Sequence, residues 1–265
     1  MIPKSKIEIL EPAPVLNIPE FHLAFGGSSG SEIPRDSFGH PKHLEFVAIP
    51  GQLFTVEEIH PRHHHSIYRI SSPNYTSFNL FLDSRFTKPA AATNVSTDPL
   101  KRDDLALKMK QLLGTKYVWG GNWSAGTSRM LQYYPPQKAL DDETLTLWMV
   151  RGVDCSGLLY ETSRGASPRN TEGLLHFGNA LSIKGKTAAE IAVELKPMDM
   201  AVWQGHVWFV LDANHSIESK SPFGVIQRPL IERLEETCNE KKGVNAWPEN
   251  FDPDRYFTIR RFCSD

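Results

Sequence analysis

Apolar positions along the 265 residues fall into two textures. Between His43 and Phe86 they come as short runs separated by turn residues: LEFVAIPG, QLFTVEEI, HSIYRISS and SFNLFLDSRF. Val47, Ile49, Phe54 and Val56 alternate with their neighbours. Short alternating runs broken by turns predict strands of a small antiparallel β-barrel or sandwich. Residues 1 to about 40, with Pro12, Pro14, Pro19 and GGSSGS at 26–31, read as an extended arm followed by a loop. A run of small residues and prolines, TKPAAATNVSTDP at 87–99, marks a boundary, with residues 87–98 as a linker.

Beyond the linker the pattern changes. Asp98-Pro99 predicts an N-cap followed by proline at the first helical position. Leu105, Leu112 and Leu113 supply part of an apolar face, and Gly114 ends the helix. Further helices are predicted at 155–164, 171–181 and 187–195. Strands are predicted at Met200–Trp203, His206–Leu211, Ser216–Lys220 and Tyr256–Arg261. Helices gathered ahead of a run of strands give an α+β domain over residues 99–265, preceded by a β-rich domain over residues 1–86.

Composition narrows the chemistry. Lys and Arg number 29 against 31 Asp and Glu, a formal charge of −2, without the basic stripe expected of a nucleic-acid-binding chain. Hydrophobic residues at 40% and charged residues at 23% are ordinary for a globular chain. No apolar run approaches the roughly 18 residues of a bilayer span. MIPKSKIEILEPAPVLNIPE lacks the apolar stretch of a signal peptide, which sets the expectation of a cytoplasmic chain without stable membrane insertion. Cys155, Cys238 and Cys263 are an odd number, widely spaced and without CxxC, which fits neither a disulfide framework nor a zinc site.

The question is then which thiol is special. In RGVDCSGLLYETSRGA, Cys155 follows a Gly-Val-Asp turn and opens a helix, where free N–H groups favour thiolate. Position alone equally allows a buried structural cysteine. Cys238, in LEETCNEKK, and Cys263, close to the end of the sequence, have no base or framed turn nearby and read as bystanders. A cysteine nucleophile needs a base, usually His. His63, His64 and His65 follow Pro61 and cannot all face one metal from a strand, so they read as a solvated loop. His206 opens the strand HVWFVL after Gly205, where its imidazole can project from a sheet towards the thiol.

Five ordered blocks carry a resemblance: GTKYVWGG at 114–121, VDCSGLL at 153–159, SPRNT at 167–171, LKPMDMAVW at 195–203 and GHVWFVLDANHSIES at 205–219. Together they resemble the NlpC family of cell-wall cysteine peptidases, papain-like hydrolases of peptidoglycan stem peptides, over about residues 99–222. The resemblance implies a papain-like domain with a helix-borne cysteine packed on an antiparallel sheet, and no metal or organic cofactor. It implies Cys155 as nucleophile and His206 as base. Tyr117 would help hold the oxyanion, Asp154 and Ser156 would bind the substrate's amine and backbone, and Trp119 would line the cleft. For Tyr117 and Trp119, core packing is the alternative role. The family's third polar residue follows its histidine by about twelve positions, which lands on Glu218. A hairpin centred on Asp212-Ala213-Asn214 puts His206 opposite a residue near 220, with Glu218 on the same face. His215, at the turn itself, is the alternative.

Some features depart from the family. Met198 stands where the family usually has glycine, and Trp208 where it often has glycine. An insertion at about 122–152, with a helix predicted at 141–150, separates two of the blocks. The β-rich region more weakly resembles the bacterial SH3-like domains of muropeptide-recycling relatives, in VAIPGQLFTVEEI and IYRISSPNYTSFNLFLDSRF. By position, Tyr75 or Glu45 would meet the substrate's amine. The function implied is hydrolysis of stem peptides at the D-γ-glutamyl–diamino acid amide, the diamino acid being one such as meso-diaminopimelate. Two alternatives are an N-acetylmuramyl–L-alanine amidase using the same Cys-His site and a non-catalytic wall-binding protein. The partners are stem peptides or muropeptides, with no nucleic acid.

Overall fold

The computed structural model describes residues 5–72, 75–90, 100–247, 252 and 254–263. It is a mixed α/β chain with antiparallel sheets, and it divides into two compact units. One comprises Met1–Ser96 with Val118–Asp154, and the other Thr97–Tyr117 with Cys155–Asp265.

The first unit opens with β1 (Lys6–Ile9), β2 (Ala13–Leu16) and a single helical turn, α1 (Phe21–Ala24). It continues through β3 (Leu44–Ala48), β4 (Leu53–Pro61), β5 (Ser66–Ser72), β6 (Tyr75–Asp83) and β7 (Thr87–Pro89). These strands form one antiparallel sheet in the order β3-β2-β6-β5-β4-β1-β7. The extended arm expected at the start of the chain is therefore corrected, because residues 6–9 and 13–16 are strands within this sheet. Ile7, Ile9, Val15 and Leu16 are buried there, and that burial outweighs the prolines around them. Pro14 is tolerated because β2 meets β6 only at Leu16↔Phe81, so the missing N–H interrupts little of the ladder. The proposed linker falls mostly at 91–99, outside the described residues.

Between the two stretches of the first unit runs α2 (Arg102–Gln111), which belongs to the second. The chain then returns through β8 (Asn122–Trp123), α3 (Arg129–Tyr133), α4 (Asp142–Trp148) and β9 (Gly152–Val153). The Asp141 carboxylate caps α4 by accepting the Thr144 N–H at 2.7 Å. Expected as an insertion of the second domain, residues 118–154 instead pack with the β-rich unit. Val118, Met130, Trp148 and Val150 share one buried cluster with Phe21, Phe25 and Phe86. Asn122 ties this segment to β3: its Oδ1 accepts the Val47 N–H at 2.9 Å, and its Nδ2 donates to the Val47 carbonyl at 2.7 Å.

The second unit holds α5 (Gly157–Thr162), α6 (Thr171–Leu174), β10 (Asn179–Ala180), α7 (Ala188–Ala192) and β11 (Met200–Trp203). It continues with β12 (His206–Val210), β13 (His215–Lys220), β14 (Gly224–Pro229), α8 (Leu230–Glu240), β15 (Lys242–Gly243) and β16 (Tyr256–Arg261). The sheet runs β10-β16-β11-β12-β13-β14, with β15 added parallel to β16. The long helix expected at 171–181 is corrected: it stops at Leu174, and Gly178 at φ +76° turns the chain so that Asn179 and Ala180 pair with Arg261 and Arg260. Sequence reading did not anticipate α8. It lays Leu230 and Leu234 on a core with Ala201, Trp208, Val210, Phe257 and Ile259.

Candidate active site

In the second unit a two-residue turn joins β11 to β12, with Trp203 opposite His206 and Gly205 at φ +97°. β12 pairs with β13 so that Phe209 faces Ile217 and Val210 faces Ser216. Extending that alternation places Glu218 on the face that His206 occupies. The Glu218 Oε2 lies 2.6 Å from the His206 Nε2. An ionised carboxylate only accepts, so Nε2 is the donor in this pair, and Nδ1 is the ring nitrogen that Glu218 leaves free for exchange. Glu218 is completely buried. Burial pushes its carboxyl up, but the His206 hydrogen bond and the Arg233 guanidinium together outweigh burial and hold it down at about 2.

Cys155 is buried just ahead of α5, and its thiol lies 3.9 Å from the carbonyl oxygen of Gly205, the residue before His206. The Gly205 N–H is in turn held by the Thr171 hydroxyl at 3.1 Å. Beside the thiol, the Ser156 hydroxyl accepts a hydrogen bond from the buried Arg169 Nη1 at 2.9 Å. Tyr117 is half-buried, in a stretch pinned to β14 by Gly114 N–H to Val225 O at 2.9 Å and Val225 N–H to Thr115 O at 2.8 Å. The other two cysteines are Cys238 and Cys263. Burial pushes both thiols up, that of Cys263 to about 11, and Glu235 adds to the effect at Cys238.

His215, the alternative third residue, is occupied at the turn, where its Nδ1 lies 2.8 Å from Asp212 Oδ1. Met198, standing where the family usually has glycine, adopts φ +67°, so the turn keeps a glycine-like backbone with a side chain added. Trp208 is buried and donates its indole N–H to Thr237 at 3.1 Å.

The remaining candidates lie in the first unit. Glu45 and Tyr75 come together there: the phenol donates to Glu45 Oε2 at 2.5 Å, and Asn17 Nδ2 donates to Oε1 at 3.0 Å. Asp154 accepts the Gly120 N–H at 3.0 Å and donates its own N–H to the Gly121 carbonyl at 2.9 Å. A Cβ on Gly121 would lie 2.5 Å from the Gly152 carbonyl oxygen, so glycine is what lets these backbones meet. Trp119 is exposed, and the His40 ring stacks on it with centroids 4.2 Å apart. His63 and His64 are exposed with rings 4.1 Å apart, and His65 lies 3.8 Å from Asp83. Among the described residues no group of three or more His, Cys, Asp or Glu is placed to hold a metal ion, and no helix is long and apolar enough to cross a membrane.

Sequence reading missed two buried guanidiniums. Arg169 lies inside the quoted SPRNT block but carried no assignment there. Arg233 lies on α8 among Leu230, Leu234 and Thr237, an i, i+4, i+7 stripe that would have marked it as a charge on a buried face.

No family model matches the chain, and no curated protein does. Among solved structures it is similar to an NlpC/P60 family protein from Bacillus cereus ATCC 10987, at 15% identity over 98% of this chain and a TM-score of 0.38. The chain spans 64% of that protein's length. It is also similar to NlpC2 from Trichomonas vaginalis, at 13% identity over 99% of this chain and 74% of that one, with a TM-score of 0.34. Both of these structures carry the name of the family that the five sequence blocks resemble.

Proposed function

We propose that the chain is a cysteine hydrolase of peptidoglycan stem peptides, cutting the amide between D-γ-glutamate and a diamino acid such as meso-diaminopimelate. The observation that carries this reading is the arrangement in the second unit. A buried thiol lies against the Gly205 carbonyl, and the adjacent histidine is held through Nε2 by a buried, ionised glutamate. That arrangement leaves Nδ1 as the nitrogen that can exchange a proton with the thiol.

The steps follow from these roles. His206 takes the Cys155 proton, and the thiolate attacks the amide carbonyl. The tetrahedral oxyanion is met by the Cys155 N–H and the Tyr117 hydroxyl. Collapse expels the diamino acid amine, which takes the proton from His206, and leaves a thioester on Cys155. Water, deprotonated by His206, then hydrolyses the thioester. Throughout, the Glu218 carboxylate orients the ring and stabilises the imidazolium. Asp154, directly before the nucleophile in the chain, and Ser156, directly after it, bind the substrate's amine and backbone. Trp119 lines the cleft, and the Glu45–Tyr75 pair takes the free N-terminal amine. In this reading the second unit is a papain-like domain, the β-rich unit is SH3-like, and the enzyme works in muropeptide recycling in the cytoplasm.

The test is digestion of defined muropeptides with products identified by mass, using the native chain and Cys155→Ala. A cut after D-glutamate by the native chain alone is the expected result. Release of an intact stem peptide from the sugar would replace this bond with the muramyl amide. Equal products from Cys155→Ala would remove the hydrolase reading altogether.

A further inference from the structure

We propose that Arg233 is a positioning residue that sets both the orientation and the proton affinity of His206, acting through Glu218. The proposal rests on the reading of Cys155 and His206 as the reacting pair. Arg233 is 2% exposed, so its charge must be answered inside the protein. Nε donates to Glu218 Oε1 at 2.8 Å and Nη2 to Glu218 Oε2 at 3.1 Å. Nη1 reaches Glu236 Oε2 and the Thr237 hydroxyl, both at 3.1 Å. The Trp203 and Trp208 rings each lie 5.8 Å from Cζ.

Orientation follows from this packing. Both oxygens of Glu218 are claimed by one planar fork, and Oε2 is shared between Arg233 and His206. The carboxylate cannot rotate without breaking two charged hydrogen bonds. Trp203, on which the guanidinium rests, also lies against the His206 ring at 5.2 Å. The histidine is thus held at Nε2 by Glu218 and flanked by the tilted Trp203 ring, and Arg233 lies against both.

Proton affinity follows from charge. A lone carboxylate at Nε2 would favour imidazolium strongly. Here Arg233 lies against the same carboxylate, and Arg228 Nη1 is 3.8 Å from Glu218 Oε1 and 2.5 Å from Glu236 Oε2. Two guanidiniums, Arg228 and Arg233, and two carboxylates, Glu218 and Glu236, sum to zero. Other charged or ionisable groups around the histidine are Lys220 on β13, Lys241 with Nζ 5.3 Å from the Trp203 ring, and the Cys155 thiol beside Gly205. None of these contacts Glu218 as Arg233 does. Arg233 therefore offsets the pull of the carboxylate on the proton at Nε2.

The experiment follows the His206 ring by NMR across pH in the full chain, with its signal identified by its loss in His206→Gln. Arg233→Gln removes a positive charge beside Glu218, so the His206 titration should move up, by about one pH unit. Glu236→Gln removes a negative charge, so the titration should move down by less. Arg233→Lys keeps the charge without the fork. It should titrate near the native value while kcat for stem-peptide hydrolysis falls about tenfold or more. Opposite shifts from the two glutamine variants are not what loosened packing would produce. If Arg233→Gln does not fold, Glu236→Gln decides, since it lies at the edge of the cluster. An unchanged titration, or shifts of the same sign, overturns the proposal. The titration uses no substrate, so opposite shifts in a chain that hydrolyses nothing would remove the hydrolase reading alone. Hydrolysis with an unmoved titration would remove the role of Arg233 alone.

Discussion

Each of the two units buries a carboxylate against a guanidinium that rests on aromatic rings. In the first, Asp83 takes Arg85 through Nε at 3.0 and 3.1 Å and Nη2 at 2.5 Å, and Arg85 lies 4.1 Å from the Tyr133 ring centroid and 5.0 Å from that of Tyr134. In the second, Glu218 takes Arg233, which rests near Trp203 and Trp208. The clusters differ in their third member. Asp83 receives the Tyr134 hydroxyl at 2.6 Å, and burial together with the Asp83 charge pushes that phenol far above its ordinary range, so it keeps its proton at any working pH. Glu218 receives His206, an imidazole whose second ring nitrogen is left to other partners. On the proposed function, the same electrostatic frame is a pin in one unit and a working part in the other, and the difference lies in which hydrogen-bond donor completes it.

Substitutions can break this comparison. The largest effect is expected at the thiol: Cys155→Ala should lower turnover by about 10⁴-fold or more with circular dichroism unchanged. Glu218→Gln and Asp83→Asn come next and form a matched pair. Glu218→Gln leaves the buried Arg233 guanidinium facing a neutral amide and should destabilise by about 3–5 kcal/mol in urea unfolding, and Asp83→Asn, which faces the half-buried Arg85, should cost less. Only Glu218→Gln should also slow alkylation of Cys155. Equal slowing by Asp83→Asn would erase the distinction between pin and working part.

Acid separates the clusters further. The Glu218 carboxyl is lowered in the folded chain from an ordinary 4.5 to about 2. A group depressed by folding stabilises above its unfolded value, and that contribution is lost as pH falls from about 4.5 towards 2. Native chain should therefore lose stability over that window, measured by circular dichroism, and Glu218→Gln should lose less. A smaller effect is expected in the first unit. Glu45→Gln or Tyr75→Phe should raise KM for peptides with a free amine by about tenfold, consistent with one lost charge-assisted hydrogen bond, and leave kcat nearly unchanged. The smallest is at the other thiols. With Cys263 held to about 11, an iodoacetamide reagent at pH 6–7 should spare it, and Cys263→Ser should leave hydrolysis within about twofold.

The His206–Glu218 contact was legible because a hairpin has a period of two, so spacing alone puts residues 206 and 218 on one face. The place of Cys155 at the head of a helix was legible because its turn and its neighbours are local. What escaped was decided at long range. Prolines 12 and 14 read as an arm, yet β1 and β2 enter a sheet because Ile7, Ile9, Val15 and Leu16 find partners far along the chain. The apolar pattern after Thr171 reads as one helix, yet Gly178 and an edge pairing with β16 stop it. LIERLEETCNE was read only around Cys238, so the Leu230, Leu234 and Thr237 stripe that carries Arg233 onto the core with Trp208 and Phe257 went unused. Residues 118–154 were read by their flanking motifs, whereas their apolar side chains join the core of the other unit.

The edge of the first sheet is closed by a side chain. β3 is the terminal strand of its sheet, and a terminal strand offers its outer N–H and C=O groups to any other strand. At Val47 both groups are taken by the amide of Asn122, a side chain that imitates the peptide group of a neighbouring strand. This amide is a stopper: at Val47 it satisfies the terminal strand as another strand would, without extending the sheet.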